Sequence, residues 1–140
     1  MFCKRSYIRY CFYGGNDYTL LPSTPDCYVK NGGVNIAYFQ SMSISSEQLH
    51  IEHFAVDSEL SQQGIGEEVL RNFAALVKVQ APTISQITFD LGRATSNSDV
   101  VKLAKARESL FKVIGAVNIK KHQPNSWCWV VSATWNIDKW

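Results

Sequence analysis

The sequence has no block of like charge and no long apolar run. Fourteen basic and twelve acidic residues leave a formal charge of +2, and no Lys/Arg stretch exceeds a pair. The electrostatic footprint that nucleic-acid binding demands is therefore missing. The opening stretch, MFCKRSYIRYCFYGG, sets Lys4, Arg5 and Arg9 among aromatic residues and never builds the apolar core of a signal peptide or membrane span. A cytoplasmic location is expected from it, with no membrane partner. Cys3, Cys11, Cys27 and Cys128 lack C-x-x-C spacing, and in a reducing compartment they read as packed or free thiols. Internal repeats and low-complexity segments are also missing, which excludes a repeat array.

What is present is an ordinary globular composition, 46% hydrophobic and 19% charged over 140 residues, enough for one domain spanning 1–140. Lys4 to Tyr13 is rich in aromatic and β-branched residues and stops at Gly14-Gly15-Asn16-Asp17, so it reads as a strand ending in a turn. Leu20 to Asp26, with Pro22 and Pro25, reads as a loop. Tyr28 to Lys30 and Val34 to Ile44 flank Asn31-Gly32-Gly33 as a hairpin, and Leu49 to Val56 follows the turn at Ser45 to Gln48. Three antiparallel strands in succession are expected.

From Glu67 the apolar period changes. Val69, Leu70, Phe73, Leu76 and Val77 recur at helical spacing up to Pro82. Ile84 to Leu91 reads as an interior strand, Gly92 to Asn97 as a turn, and Ser98 as the cap of a second helix that Gly115 stops. Ala116 to Lys120 and Trp127 to Trp135 are two closing strands, with a turn around Pro124-Asn125. On the last strand Trp127, Trp129 and Val131 alternate with Cys128 and Val130, and the aromatic face reads as core or subunit interface. The order is that of a mixed α/β (α+β) sheet protein.

One connection stands out. A strand ending at Val56, a loop containing Gly64 and Gly66, and a helix from Glu67 gather free backbone N–H groups at a helix N-terminus, where the macrodipole favours an anion. The stretch FAVDSELSQQGIGEEVLRNF resembles motif A of the GNAT superfamily of acetyl-CoA-dependent N-acyltransferases, and SLFKVIGA resembles its motif B. The strand order from Tyr28 to Trp135 follows the family order.

The resemblance implies a GNAT-like fold, a central and mostly antiparallel sheet whose fourth and fifth strands splay apart. It implies acetyl-CoA as cosubstrate, with its pyrophosphate on the loop amides around Ser61, Gln62, Gln63, Gly64, Ile65 and Gly66. The pantetheine arm would then lie along the backbone of Phe54, Ala55 and Val56. Departures from the pattern are Ser61 at the usual Arg/Gln position, Glu67 and Glu68 in the first helical turn, and Phe111 where many relatives carry an acid tyrosine. Tyr28, Tyr38, Ser109 and Cys128 are candidate substitutes for that acid. The segment from Gly14 to Asp26 is too short for the two helices that usually cover the acceptor side, so that side is open or a homodimer partner walls it.

Amide formation from a thioester requires a neutral amine, and an alkylammonium of pKa about 10.4 must first lose a proton. His50 falls where histone-acetylating relatives carry their base, and an imidazole of pKa about 6.5 suits that task. Glu52 is the second candidate, on the same face because the strand period is two. His50-x-x-His53 throws its rings to opposite faces of a strand, so no metal is expected. Lys102, Lys105 and Arg107 read as a solvated helix face, and Arg93 as an accessory anion contact. The function expected is acetyl transfer to a primary amine on a small molecule or protein. The alternative is a GNAT-fold protein without catalysis, a binding or regulatory module sensing coenzyme A.

Overall fold

The computed structural model describes residues 10–14, 26–56, 64–94, 100–125 and 128–137. The expected loop at Leu20 to Asp26, most of the first strand, the Ser98 cap, Trp127 and the segment read as too short for two helices fall wholly or largely outside them. So do Ser61, Gln62 and Gln63.

The described residues form seven strands, and helical spacing builds two helices, in the order β1 (Cys11–Gly14), β2 (Cys27–Asn31), β3 (Val34–Ser45), β4 (Gln48–Val56), α1 (Ile65–Gln80), β5 (Gln86–Ala94), α2 (Val100–Ile114), β6 (Val117–Asn125) and β7 (Cys128–Asn136). They form one sheet in the spatial order β1-β2-β3-β4-β5-β7-β6. All neighbours are antiparallel except β4 and β5, which are parallel because α1 carries the chain back between them. The three expected antiparallel strands are β2, β3 and β4, and Gly32 and Gly33, both at positive φ, make the hairpin turn.

The parallel pair is partial. Each strand has nine residues, yet they pair only at Gln48↔Gln86, Leu49↔Ile87, His50↔Thr88 and Ile51↔Phe89. Beyond that rung β4 stays with β3 up to Ala37↔Val56, while β5 stays with β7 up to Ala94↔Cys128. The sheet splays at the fourth and fifth strands, as the sequence resemblance implied.

A second irregularity lies beside it. Phe39 and Met42 are both buried, and so are Ile51 and Phe54 on the facing strand. Residues on one face of a strand are two apart, so a spacing of three means that each strand inserts one extra residue at the same rung. Gln40↔His53 and Met42↔Ile51 keep one register across it. Ser41, at φ 55, takes up the strain on β3, and its N–H donates to Asp26 Oδ1 at 3.3 Å.

Both helices pack on one face. Phe73 of α1 stacks on Phe39 at 4.2 Å between centroids, Phe39 meets Phe54 at 4.8 Å, and Phe111 of α2 meets Phe89 of β5 at 4.8 Å. Burying rings of this size contributes about 1.5–3 kcal/mol each. The helices are tied to each other by Arg71, whose Nη2 donates to the Val113 carbonyl at 3.0 Å and satisfies a group that α2's own ladder leaves open.

Two boundaries differ from the sequence reading. Gly92, read as the start of a turn, continues β5, because its missing Cβ lets β7 approach: an added Cβ would stand 3.3 Å from Cys128 Sγ. The turn read at Pro124-Asn125 is strand, the end of β6. That strand is the sheet's outer edge, and Pro124 falls in the break of register between His122 and Asn125. Among the described residues no helix is long and apolar enough to cross a membrane.

Candidate functional site

Helix α1 starts at Ile65 behind Gly64, which takes the left-handed conformation (φ 74) and provides no side-chain cap. The first-turn N–H groups of an uncapped helix are free to bind an anion, and the dipole adds to their pull. Gly66 keeps the approach narrow and smooth: a Cβ there would lie 3.4 Å from Leu110 Cδ2 and 3.8 Å from Val56 Cγ2. The helix N-terminus therefore opens onto a groove of about 290 Å³, floored by Phe54, Ala55 and Val56 of β4 and walled by Ala106, Arg107, Ser109, Leu110 and Val113 of α2. Gly64, Gly66 and Glu67 close its end.

The carboxylates of the first turn are engaged by partners. Glu67 pairs with Arg71 at 2.9 Å, and Glu68 accepts the Tyr10 hydroxyl. The Glu67 charge is thereby offset by a guanidinium, whereas Glu68 keeps its charge and gains a neutral hydrogen-bond donor.

Where β4 leaves β5, a smaller crevice of about 10 Å³ opens, lined by Tyr38, Glu52, His53, Phe54, Leu91, Gly92 and Arg107. It has room for one water-sized group. Phe54 and Arg107 line both spaces, so groove and crevice adjoin.

The candidate base residues part company here. Glu52 is exposed and lines the crevice. His50 lies on the sheet face away from the helices, since its neighbours Leu49 and Ile51 are the buried alternates and Phe89, the partner of Ile51, meets α2. Its Nδ1 is 2.7 Å from Thr88 Oγ1 and its Nε2 is 3.4 Å from Asp90 Oδ2, while Ser132 donates to the other oxygen of Asp90. A shared face alone does not join His50 to Glu52, and no hydrogen bond or ion pair links them. His53 lines the crevice, and no cluster of three metal-ligating side chains is found among the described residues.

Of the candidate acids, Tyr38 lines the crevice, Ser109 lines the groove, and Cys128 lies against Gly92. Phe111 is fully buried. The solvated helix face expected of Arg107 is corrected by the structure: its Nη2 donates to the Phe54 carbonyl at 3.0 Å. Lys105 is exposed as expected, and the side chains of Lys102 and Arg93 lie outside what is described. The signal that could have found Arg107 is its spacing of four from Phe111, which puts both on the sheet-facing side of α2.

No protein-family model matches the chain, and no curated protein matches its sequence. Solved structures do match. The ribosomal-protein-S18-alanine N-acetyltransferase from Escherichia coli superposes with a TM-score of 0.51 at 14% identity, covering 80% of this chain and 68% of that one. An acetyltransferase of the GNAT family from Streptococcus pneumoniae gives 0.52 at 10% identity over 78% of this chain and 64% of that one. Mutant forms of the spermidine/spermine N-acetyltransferase SpeG from Vibrio cholerae give 0.53 at 12% over 85% and 71%. At such identities the likeness is one of architecture, and with the splayed parallel pair it leads to one statement: this chain has the fold of the GNAT acetyltransferases.

Proposed function

We propose that this protein is an N-acetyltransferase that moves an acetyl group from acetyl-CoA directly to a primary amine. The observation that carries this reading is the continuity of an uncapped helix N-terminus, a groove along β4 and a crevice in the splay. Such a path suits a long ligand with an anionic end and a reactive end.

The amides of Gly64, Ile65 and Gly66, with the preceding Ser61, Gln62 and Gln63, hold the pyrophosphate, and glycine lets it approach the backbone. The backbone of Phe54, Ala55 and Val56 pairs with the amide-bearing arm where β5 no longer does. Acetyl-CoA supplies the activated thioester. The chain's own work is to hold it, keep it from water and remove a proton from the amine. Glu52 takes that proton in this reading, which its position lining the crevice supports. His50, oriented by Thr88 and Asp90, assists from the open face of the sheet.

A second reading has its own observation. Phe111 is buried against Phe89 and has no hydroxyl to protonate a thiolate, which favours a binding protein that senses coenzyme A without turning it over.

Calorimetric titration of acetyl-CoA and coenzyme A into the purified protein tests both. Micromolar binding, lost when Ala106→Trp fills the groove from an exposed helix position, supports a coenzyme A site. Thiol release on an amine panel then separates transfer from sensing. No binding at millimolar ligand overturns both readings.

A further inference from the structure

Arg107 is the one basic side chain among the described residues lining the groove, and it also lines the crevice. Its Nη2 holds the Phe54 carbonyl at 3.0 Å, three residues past the last β4–β5 rung at Ile51↔Phe89. The guanidinium thus stands in the gap between the splayed strands. Glu67, which closes one end of the groove, pairs with Arg71, and Glu52 lines the crevice together with Arg107. One helical turn beyond Arg107, Phe111 presents only a buried phenyl ring.

Resting on the acetyl-transfer reading above, we propose that Arg107 is the cation that stabilises the departing coenzyme A thiolate, a role that Phe111 cannot fill. The ligand's anionic end belongs at the helix N-terminus, so its reactive end reaches the place where groove meets crevice, and that place is Arg107. In the step itself the amine lone pair forms the C–N bond while the carbonyl π pair moves onto oxygen. When that pair returns, the C–S bond breaks and its electrons stay on sulfur. The amine proton goes to Glu52 or to solvent, and the thiolate leaves beside the guanidinium and takes a proton from water. A guanidinium stays charged at every working pH, so it acts through charge and not as an acid. A fixed charge in a narrow cleft acts far more strongly on a developing anion than the same charge in water. The bond to Phe54 fixes that charge in the gap before any ligand arrives.

The test is the titration of the thiol of bound coenzyme A, followed by thiolate absorbance, with the free protein's own titration subtracted. It compares the native protein with Arg107→Lys and Arg107→Met, each first shown by its unfolding midpoint to be folded. The expected result is a bound thiol about one pH unit more acidic in the native protein than in Arg107→Met, a tenfold difference in ionisation, with Arg107→Lys close to native. Equal thiol titration in native and Met variants, both binding coenzyme A, overturns the role of Arg107 and leaves acetyl transfer standing. Tighter binding by Arg107→Met with an unchanged thiol makes Arg107 a plug in the groove and overturns it too. If the native protein binds no coenzyme A, both proposals fall.

Discussion

The Cδ2 methyl of Leu110 stands 3.4 Å from where a Cβ would project from Gly66. The first turn of α1 and the third turn of α2 therefore meet at a distance where an added Cβ would make ordinary van der Waals contact, and a longer side chain would extend beyond it. The groove passes this contact. Gly66→Leu should fill it, and because leucine is the better helix former by about 0.8 kcal/mol, stability should change little. Affinity for coenzyme A should fall at least about tenfold, or 1.4 kcal/mol, by calorimetry. Unchanged affinity would mean that the ligand does not take this path.

Glu52→Gln keeps the size of the side chain at the crevice and removes its capacity to accept a proton. The turnover number should drop by about 10²–10⁴ with KM for acetyl-CoA nearly constant. His50→Gln should cost less, because His50 is held by Thr88 and Asp90 on the other face and lines neither space. Steady-state kinetics on an accepted amine decide between them, and a larger loss for His50 would reverse the assignment.

Phe111 carries the packing of α2 on β5. Phe111→Ala should destabilise the protein by about 3–5 kcal/mol through lost burial and the cavity left behind. Phe111→Tyr places a hydroxyl in a fully buried position and should cost about 1–3 kcal/mol if no partner accepts it. Denaturant unfolding of the two variants measures both. A Tyr variant as stable as the native protein would mean that its hydroxyl reaches the groove.

Cys27 is fully buried on β2, and burial pushes its thiol up from 9.0 to about 12, with a backbone hydrogen bond opposing weakly. The folded form thus keeps a proton that the unfolded form gives up above pH 9. The thiol's contribution is fully present below that value and is lost as pH rises towards 12, at about 1.4 kcal/mol per pH unit. Unfolding free energies measured from pH 8.5 to 10.5 should fall less steeply for Cys27→Ala than for the native chain. Parallel slopes would show that the thiol is not the group responsible.

The local periods of the chain already determine most of the elements. The strand-forming run Val34 to Ile44, the helical spacing from Val69 to Val77 and the turn at Gly32-Gly33 depend only on neighbours a few residues away, and each lies where the sequence predicts. So does the glycine-bearing entry to α1, since a left-handed Gly64 is a local requirement of the chain path. What the periods cannot show is which distant segments meet. Arg107 reads as one more charge on a helix until α2 is laid across the gap in the sheet, where a β4 carbonyl awaits a donor. Gly92 reads as a turn until β7 brings Cys128 against it. His50 and Glu52 read as partners on one strand face. The inserted rung at Ser41 and the splay after Ile51 set Glu52 in the crevice and leave His50 with Thr88 and Asp90. Backbone conformation is set within a turn or a strand and is legible there. A site is set by contacts between distant segments, 53 residues apart for Arg107 and Phe54 and 58 for Tyr10 and Glu68, and only packing decides those.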